Sequence, residues 1–237
     1  EEFLLNKSKA GLRPQYETEI HRTLKRFTRD IGKRTICSIR HSEIRSWLEE
    51  FNSPSTRKTM QGRVSVLFNW AKRQGFINKN PLDRLEVVKL TQKEPEILTV
   101  YQCKRLVEVS AENDPVFLPY LALALFQGIR PQECARLNAK DIDLDRKHII
   151  VSGEAAKTRN RRILPIQPPA LFILRNCKKK QWFKWRTNFR RRREAISNAA
   201  KLKRWPKDVL RHTTASHFYN IYGMDEATKA LGHSAAI

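Results

Sequence analysis

The sequence predicts a mainly helical protein of two domains, with a small β-hairpin or sheet in the second domain. Apolar residues recur at helical spacing through residues 20–71, which predicts several amphipathic helices. Two short β-type runs, residues 148–151 and 162–166, follow in the second half and are separated by a polar, basic stretch. A length of 237 residues is enough for two modest domains that each bury a core.

The first predicted domain, residues 1–85, is an all-helical module. Each of its three predicted helices has one apolar face, and these faces comprise Ile20, Leu24, Phe27 and Ile31; Ile44, Trp47, Leu48 and Phe51; and Val64, Leu67, Phe68 and Ala71. The turn at residues 52–55 contains the serine and proline expected before the third helix. Residues 86–97 are polar and contain a proline, which predicts a linker.

The second predicted domain covers residues 98–237. Residues 100–109 have a helical pattern, and residues 115–127 are apolar almost all round, which predicts a central buried helix. The two β-type runs predict a hairpin with a long, basic tip. Helical patterning resumes at Pro169, and the last predicted helix begins near Pro206.

The charge balance predicts a polyanionic partner. The chain has 47 Lys and Arg against 24 Asp and Glu, a net charge of +23, and nucleic acid is the first partner to consider. We expect phosphate contacts from basic residues of the helical module and the hairpin tip, namely Arg57, Lys58, Arg63, Arg159 and Arg161. No apolar run approaches the roughly 20 residues of a spanning helix, and no secretory signal opens the chain, so cytoplasm is the expected location.

Cofactor and metal chemistry are not indicated by the sequence. The four cysteines are widely spaced and form no Cys-x-x-Cys pair, and the six histidines make no metal-binding motif. There is no Walker loop and no carboxylate cluster of the kind that holds Mg²⁺. We therefore expect no cofactor and no metal ion.

Four short blocks contain the residues best suited to phosphate chemistry. They are residues 127–133 around Arg130, residues 156–165 around Lys157, residues 208–212 around Arg211, and residues 231–234 around His233. Each residue alone also has an ordinary explanation: a helix-junction arginine commonly forms an ion pair, and a lysine in a basic loop only attracts phosphate. A histidine after a glycine is usually a turn residue.

Taken together and in this order, the four blocks resemble the signature of the tyrosine recombinases, the phage integrase family. The resemblance implies that Arg130 and Arg211 are the two catalytic arginines that hold a DNA phosphate. It implies that Lys157 is the general acid that protonates the leaving 5′ oxygen, although Arg159 and Arg161 compete for this role. His233 is implied to donate a hydrogen bond to a non-bridging phosphate oxygen.

The resemblance also assigns supporting residues, and one position departs from it. Glu133 would orient the first catalytic arginine, and His212 is the frequent neighbour behind the second. Asp208 stands where most members have histidine, which puts the acid-base assistance at that position in doubt. A different interpretation of Asp208 is that it caps the helix predicted to begin near Pro206.

The nucleophile is not among the tyrosines that precede His233. In the family this tyrosine lies shortly beyond the second histidine block, so it is expected just after Ile237, and this chain by itself is expected to be inactive. Tyr219 and Tyr222 fall in the predicted last helix, where we expect them to pack rather than to react.

The resemblance implies the domain types and the partner. Residues 1–85 would be a helical core-binding domain of the SAM-like type, and residues 98–237 a mixed α+β catalytic domain that is truncated at its C-terminus. The implied substrate is duplex DNA with inverted-repeat core sites, on which the intact protein would form a homotetramer. Two alternatives stay open: a DNA-binding protein without catalysis, and a basic RNA-binding or ribosome-associated protein supported by charge alone.

Overall fold

Helices and one small antiparallel sheet make up the part of the chain that the computed structural model describes, residues 2–9, 11–12, 14–91, 94–156 and 161–231. The predicted fold class, mainly helical with a small sheet, is confirmed. Contacts divide the chain into two units, Glu1–Lys93 and Glu94–Ile237. No helix within the described ranges is long and apolar enough to cross a membrane.

The first unit is helical throughout its regular elements. Its α-helices are α1 Glu2–Lys9, α2 Pro14–Ile31, α3 His41–Glu49 and α4 Pro54–Arg73, with 3₁₀ turns at Ile36–Ser38 and Pro81–Arg84. Helix α4 begins as the sequence predicts, because Ser53 Oγ accepts a hydrogen bond from Thr56 N at 3.5 Å and Pro54 occupies the first turn.

Aromatic rings form the centre of the first unit. Phe27 of α2 makes edge-to-face contacts with Trp47 of α3, at 5.0 Å between ring centroids, and with Phe68 of α4, at 6.2 Å. The indole N–H of Trp47 donates to Asp30 Oδ2 at 3.0 Å, so its one polar atom is satisfied. These contacts join three helices that the sequence predicts from their apolar faces.

The second unit contains the remaining helices and the sheet. Its α-helices are α5 Val100–Asn113, α6 Leu118–Leu121, α7 Pro131–Cys134, α8 Pro168–Asn176, α9 Phe189–Ala199 and α10 Val209–Leu231. Short 3₁₀ turns lie at Pro115–Phe117, Ala139–Asp141, Lys179–Gln181 and Lys184–Arg186. Helix α10 is broken at Gly223, whose φ of 79° is outside the helical region.

The central helix of this unit is buried, as its apolar composition predicts, but it is not a regular α-helix. Helix α6 continues into a π-helix at Ala122–Phe126, and Ile129 N then donates to Leu123 O at 3.0 Å. A π-turn inserts an extra residue into the helix and often occurs at functional sites. Here the widened turn directly precedes Gly128 and Arg130.

The sheet has three antiparallel strands in the order β1, β2, β3, which are Ile142–Asp143, His148–Val151 and Arg162–Pro165. In the β2–β3 pair, Ile149 lies opposite Leu164 and Val151 lies opposite Arg162. Ile149 and Leu164 are buried, so one face of the sheet packs on the core. The predicted hairpin is therefore present, and β1 extends it to a sheet.

Candidate active site

Arg130 lies at the junction between the π-helix and α7. Pro131 opens α7, and Arg130 has an extended backbone, with φ of −62° and ψ of 142°. Glu133 N donates to Arg130 O at 2.8 Å, and Arg130 N donates back to Glu133 Oε2 at 3.3 Å. This reciprocal cap fixes Arg130 relative to the first turn of α7.

Glu133 connects Arg130 to a second arginine, Arg162 of β3. Its carboxylate is 0% exposed and accepts from Arg130 Nη1 at 3.3 Å. Arg162 approaches the same carboxylate with both terminal nitrogens, Nη2 to Oε2 at 2.5 Å and Nη1 to Oε1 at 3.3 Å. The side chains of Arg130 and Arg162 are 26% and 12% exposed, so the group is largely shielded from water.

The role of Arg162 was not predicted from the sequence, although a signal for it exists. Residues two apart on a strand face the same side, so Arg162 shares a face with the buried Leu164, while Ile163 is exposed. An arginine on the inward face of a strand requires a buried partner of opposite charge. That requirement points to Glu133.

Arg211 is buried at the start of α10 and contacts both the segment before Arg130 and the last residue of α10, beyond the break at Gly223. Its Nη1 donates to Gly128 O, and its Nη2 donates to Leu231 O at 3.3 Å. Burial, followed by the nearby positive charge of Arg130, lowers the pKa of Arg211 to about 10. A pKa of about 10 still leaves the guanidinium protonated at neutral pH.

The position whose carbonyl oxygen accepts from Arg211 requires a glycine, Gly128. Its φ of +59° lies in the left-handed region, and a Cβ there would collide with the side chain of Leu231. Thr214, one turn after Arg211 on α10, is within hydrogen-bonding distance of the carbonyl oxygen of Leu125. Helix α10 therefore holds the irregular segment that leads to Arg130 at two carbonyl oxygens, those of Leu125 and Gly128.

Asp208 directly precedes α10. The sequence predicts that this helix begins near Pro206, but it begins at Val209. The φ of Asp208 is 55°, and its carbonyl oxygen accepts from His212 N at 3.0 Å. The left-handed backbone of Asp208 delays the start of the helix. Burial lowers the pKa of Arg211, and the negative charge of Asp208 opposes part of that lowering.

Three predicted site residues, Lys157, Arg159 and His233, lie outside the described residues. Arg161 is exposed and directly precedes β3. The structure therefore brings together Arg130 and Glu133 from the predicted set and places Arg211 against the carbonyl oxygen of Gly128, two residues before Arg130. Asp208 lies three residues before Arg211, and its carbonyl oxygen accepts from the N–H of His212.

The tyrosines of α10 are placed differently from the prediction. We expected Tyr219 and Tyr222 to pack, but they are 51% and 59% exposed. The ring of Tyr222 contacts that of Phe218, at 5.4 Å between ring centroids. Ile221 and Met224 nearby are also exposed, at 68% and 64%, so this part of α10 does not face the core although it is largely apolar.

The basic residues of the first unit that we predict to contact DNA differ in their exposure and in the protein contacts that their charged groups already make. Lys58 is exposed. Arg57 is half-buried and its Nη2 donates to Phe51 O at 3.1 Å, while Arg63 forms an ion pair with Glu19. A phosphate contact by Arg63 would have to break that pair, whereas Lys58 can contact DNA without such a cost.

Metal-binding residues are not grouped at this site. Within the ranges that the structure describes, no group of three or more His, Cys, Asp or Glu could hold a metal ion. Cys134, beside Glu133, is fully buried, and burial raises the pKa of its thiol well above neutrality. The described residues contribute the guanidinium groups of Arg130, Arg162 and Arg211 and the carboxylate of Glu133.

Comparison with known proteins identifies the family. The model of the phage integrase family matches residues 96–236, which is more than half of the chain. The chain belongs to the phage integrase family. Tyrosine recombinase XerC of Corynebacterium glutamicum is 30% identical over 218 residues, covering 81% of this chain and 70% of that protein. A tyrosine recombinase of Thermosipho africanus is 24% identical over 225 residues, covering 82% and 78%.

Solved integrase structures share the fold. Lambda integrase, residues 75–356, in a dimer bound to a COC' core site, has a TM-score of 0.79 and 18% identity, covering 99% of this chain and 90% of that chain. The Tn1549 transposon integrase, in complex with a circular intermediate DNA, has a TM-score of 0.73 and 20% identity, covering 98% and 91%. The family prediction from the four sequence blocks is thus confirmed.

Proposed function

We propose that this member of the phage integrase family is a site-specific DNA recombinase whose arginines activate a DNA phosphate. The observation that carries the proposal is the placement of Arg130 and Arg211, which come from separate elements: Arg211 Nη1 donates to the carbonyl oxygen of Gly128, two residues before Arg130. Holding two like charges together in a shielded place costs Coulomb energy. An anion bound between them would offset that cost, and a phosphodiester is such an anion.

The chemistry follows from the charge that develops at phosphorus. In the proposed reaction the nucleophilic tyrosine of the recombinase attacks the scissile phosphate, so that a bond from its oxygen to phosphorus forms and the bond to the 5′ oxygen breaks. Negative charge spreads over the non-bridging oxygens, where Arg130 and Arg211 present planar forks of donors without titrating. We assign His233 a further hydrogen bond to these oxygens, and Lys157 the proton that the leaving 5′ oxygen takes.

The product of this step stores the bond energy needed for rejoining. It is a 3′-phosphotyrosyl link with a free 5′ hydroxyl, and the 5′ hydroxyl of a partner strand then attacks the link and releases the tyrosine. No nucleotide cofactor is consumed. His212 and Asp208 stand beside Arg211, and we assign them supporting roles, with Asp208 replacing the histidine that most members have.

The proposed substrate is duplex DNA with inverted-repeat core sites, in keeping with the +23 net charge. We assign phosphate contacts to Lys58 and Arg161, which are exposed, and to Arg57 and Arg159. Lambda integrase is described both as a dimer bound to a core site and as a tetramer bound to a Holliday junction, and we propose a homotetramer on DNA here as well. The cytoplasm, where such DNA is found, is the proposed location.

Salt dependence of binding tests the DNA-binding part of this proposal. The expected result is tight binding to duplex DNA centred on an inverted repeat, weakening by about 10³-fold or more between 50 and 200 mM salt if six or more phosphates are contacted. Lys58→Gln should reduce the slope of log K against log salt by about one. Fluorescence anisotropy with labelled duplexes measures both.

The matched control is Lys104→Gln, because the ammonium of Lys104 lies 3.9 Å from Glu108 and its loss should leave the slope unchanged. Equal affinity for duplex RNA and duplex DNA of the same sequence would contradict the proposal and favour a basic RNA-binding protein.

A further inference from the structure

The α7 segment that follows Arg130 is attached to the β2–β3 hairpin at two places, strand β3 and the connection that follows β2. On the β3 limb, Arg162 makes the two-nitrogen contact with Glu133 of α7. In the connection after β2, the carbonyl oxygen of Ala155 accepts from Arg136 Nη1, just after α7, at 3.3 Å. The hairpin and the segment that positions Arg130 are therefore joined at two points.

The two attachments differ in strength. The contact between Arg136 and Ala155 is one hydrogen bond to a neutral carbonyl, whereas Arg162 and Glu133 form a charge-assisted, two-nitrogen pair with the carboxylate 0% exposed. A planar guanidinium fixes the direction of its partner as well as the distance. The Arg162 contact is thus the one that orients β3.

Arg162 also stands at the base of the hairpin's long connection. It lies opposite Val151, the last residue of β2, so the pair closes the ladder at the end from which the connection leaves. Towards the other end, Ile149 and Leu164 are fixed by burial in the core. On the β2 side the base of the connection is also buried, at Val151, Ala155 and Ala156, whereas on the β3 side Ile163 is 57% exposed and the inward-facing residue is Arg162.

We propose that Arg162 is a positioning residue that sets the β2–β3 hairpin against Arg130 through their shared carboxylate, Glu133. The proposal rests on the proposed function, since its consequence for catalysis is the placement of Lys157, five positions before Arg162 in the sequence. Loss of Arg162 leaves the cap between Glu133 and Arg130 in place. The defect should therefore fall on leaving-group protonation and spare phosphate binding.

Hydrogen exchange of the chain itself tests the anchoring without any need for activity. We expect Arg162→Gln to speed amide exchange of residues 149–151 and 162–165 by about tenfold or more, with α5 and α9 unchanged. Arg162→Lys keeps the charge but loses the planar pair of donors, so its exchange rates should lie between those of the unaltered protein and those of Arg162→Gln. The matched control is Arg146→Gln, an arginine 82% exposed at the opposite end of the same sheet. Unchanged exchange in Arg162→Gln would overturn the proposal.

Cleavage by the full-length protein tests the catalytic consequence with two leaving groups. On ordinary DNA we expect Arg162→Gln to slow single-turnover cleavage about 10²-fold, as misplaced catalytic groups do. On DNA with sulfur at the scissile 5′ bridging position the loss should shrink to about threefold or less, because a thiolate leaves without a general acid. Duplex affinity should not change.

The same fold loss on both substrates would overturn the positioning role and make Arg162 part of phosphate binding. If the unaltered full-length protein cleaves neither substrate, the proposed function fails, while the exchange experiment still decides whether Arg162 anchors the hairpin. Should Arg162→Gln fail to fold, Arg162→Lys gives the same comparison with a smaller expected loss.

Discussion

Arg130→Ala is expected to slow DNA cleavage by the full-length protein by about 10²- to 10³-fold, the usual loss when one donor to a developing oxyanion is removed. The side chain of Arg130 is 26% exposed and Glu133 keeps Arg162 as a partner when Arg130 is removed, so we expect the unit to stay folded. Duplex affinity should fall by about tenfold at most, since many phosphate contacts contribute to it. Single-turnover cleavage and anisotropy measure the two quantities separately.

For Arg211 we also expect a large loss of cleavage and a small loss of duplex affinity. Because Arg211 is buried, its test needs a conservative substitution. Arg211→Lys keeps the positive charge, yet one ammonium cannot span the carbonyl oxygens of Gly128 and Leu231 and still present a fork to a phosphate. We expect cleavage to be lost to a similar extent. Arg146→Ala, on the surface, is the control. Equal losses of cleavage and affinity would favour a DNA-binding protein without catalysis.

Glu133→Gln is expected to lower the free energy of unfolding of the second unit by about 3 to 5 kcal/mol, because it leaves Arg130 and Arg162 without their buried counter-charge. The amide keeps the size of the carboxylate, so the loss reports charge and hydrogen bonding rather than a cavity. Urea unfolding followed by tryptophan fluorescence measures the change, because Trp182 and Trp185 are buried in this unit.

The control for Glu133 is Glu194→Gln, in which a carboxylate paired with Arg190 is 52% exposed. Exposed pairs contribute little, so its loss should cost less than about 1 kcal/mol. A Glu133→Gln variant as stable as the control would show that the two arginines are satisfied by other means, and the shared carboxylate would lose its assigned role.

Much of the fold is predictable from local patterns. Helices α2, α3 and α4 follow from apolar residues at helical spacing, and β2 has the predicted bounds, His148–Val151. Strand β1 has only two residues, too few to show a period. The π-helix at Ala122–Phe126 is also hidden, because a segment that is apolar all round gives no phase from which to detect an extra residue.

The site was less predictable than the fold because its contacts join distant residues. Arg130 and Arg211 could be found through the family resemblance, but the pairing of Arg162 with Glu133 depends on which face of β3 is buried. The late start of α10 depends on the left-handed backbone of Asp208, which no periodic pattern encodes. Both features are set by tertiary packing rather than by local propensity.

The most direct test of the recombinase assignment is a nicked suicide substrate incubated with the full-length protein, in which a short cleaved fragment diffuses away and prevents rejoining. Denaturing gels then report the covalent state of the DNA. We expect protein joined to the 3′ end of the cleaved strand through a tyrosine, with a free 5′ hydroxyl on the released fragment. Intact DNA that is bound but never cleaved, or protein joined to a 5′ end, would contradict it.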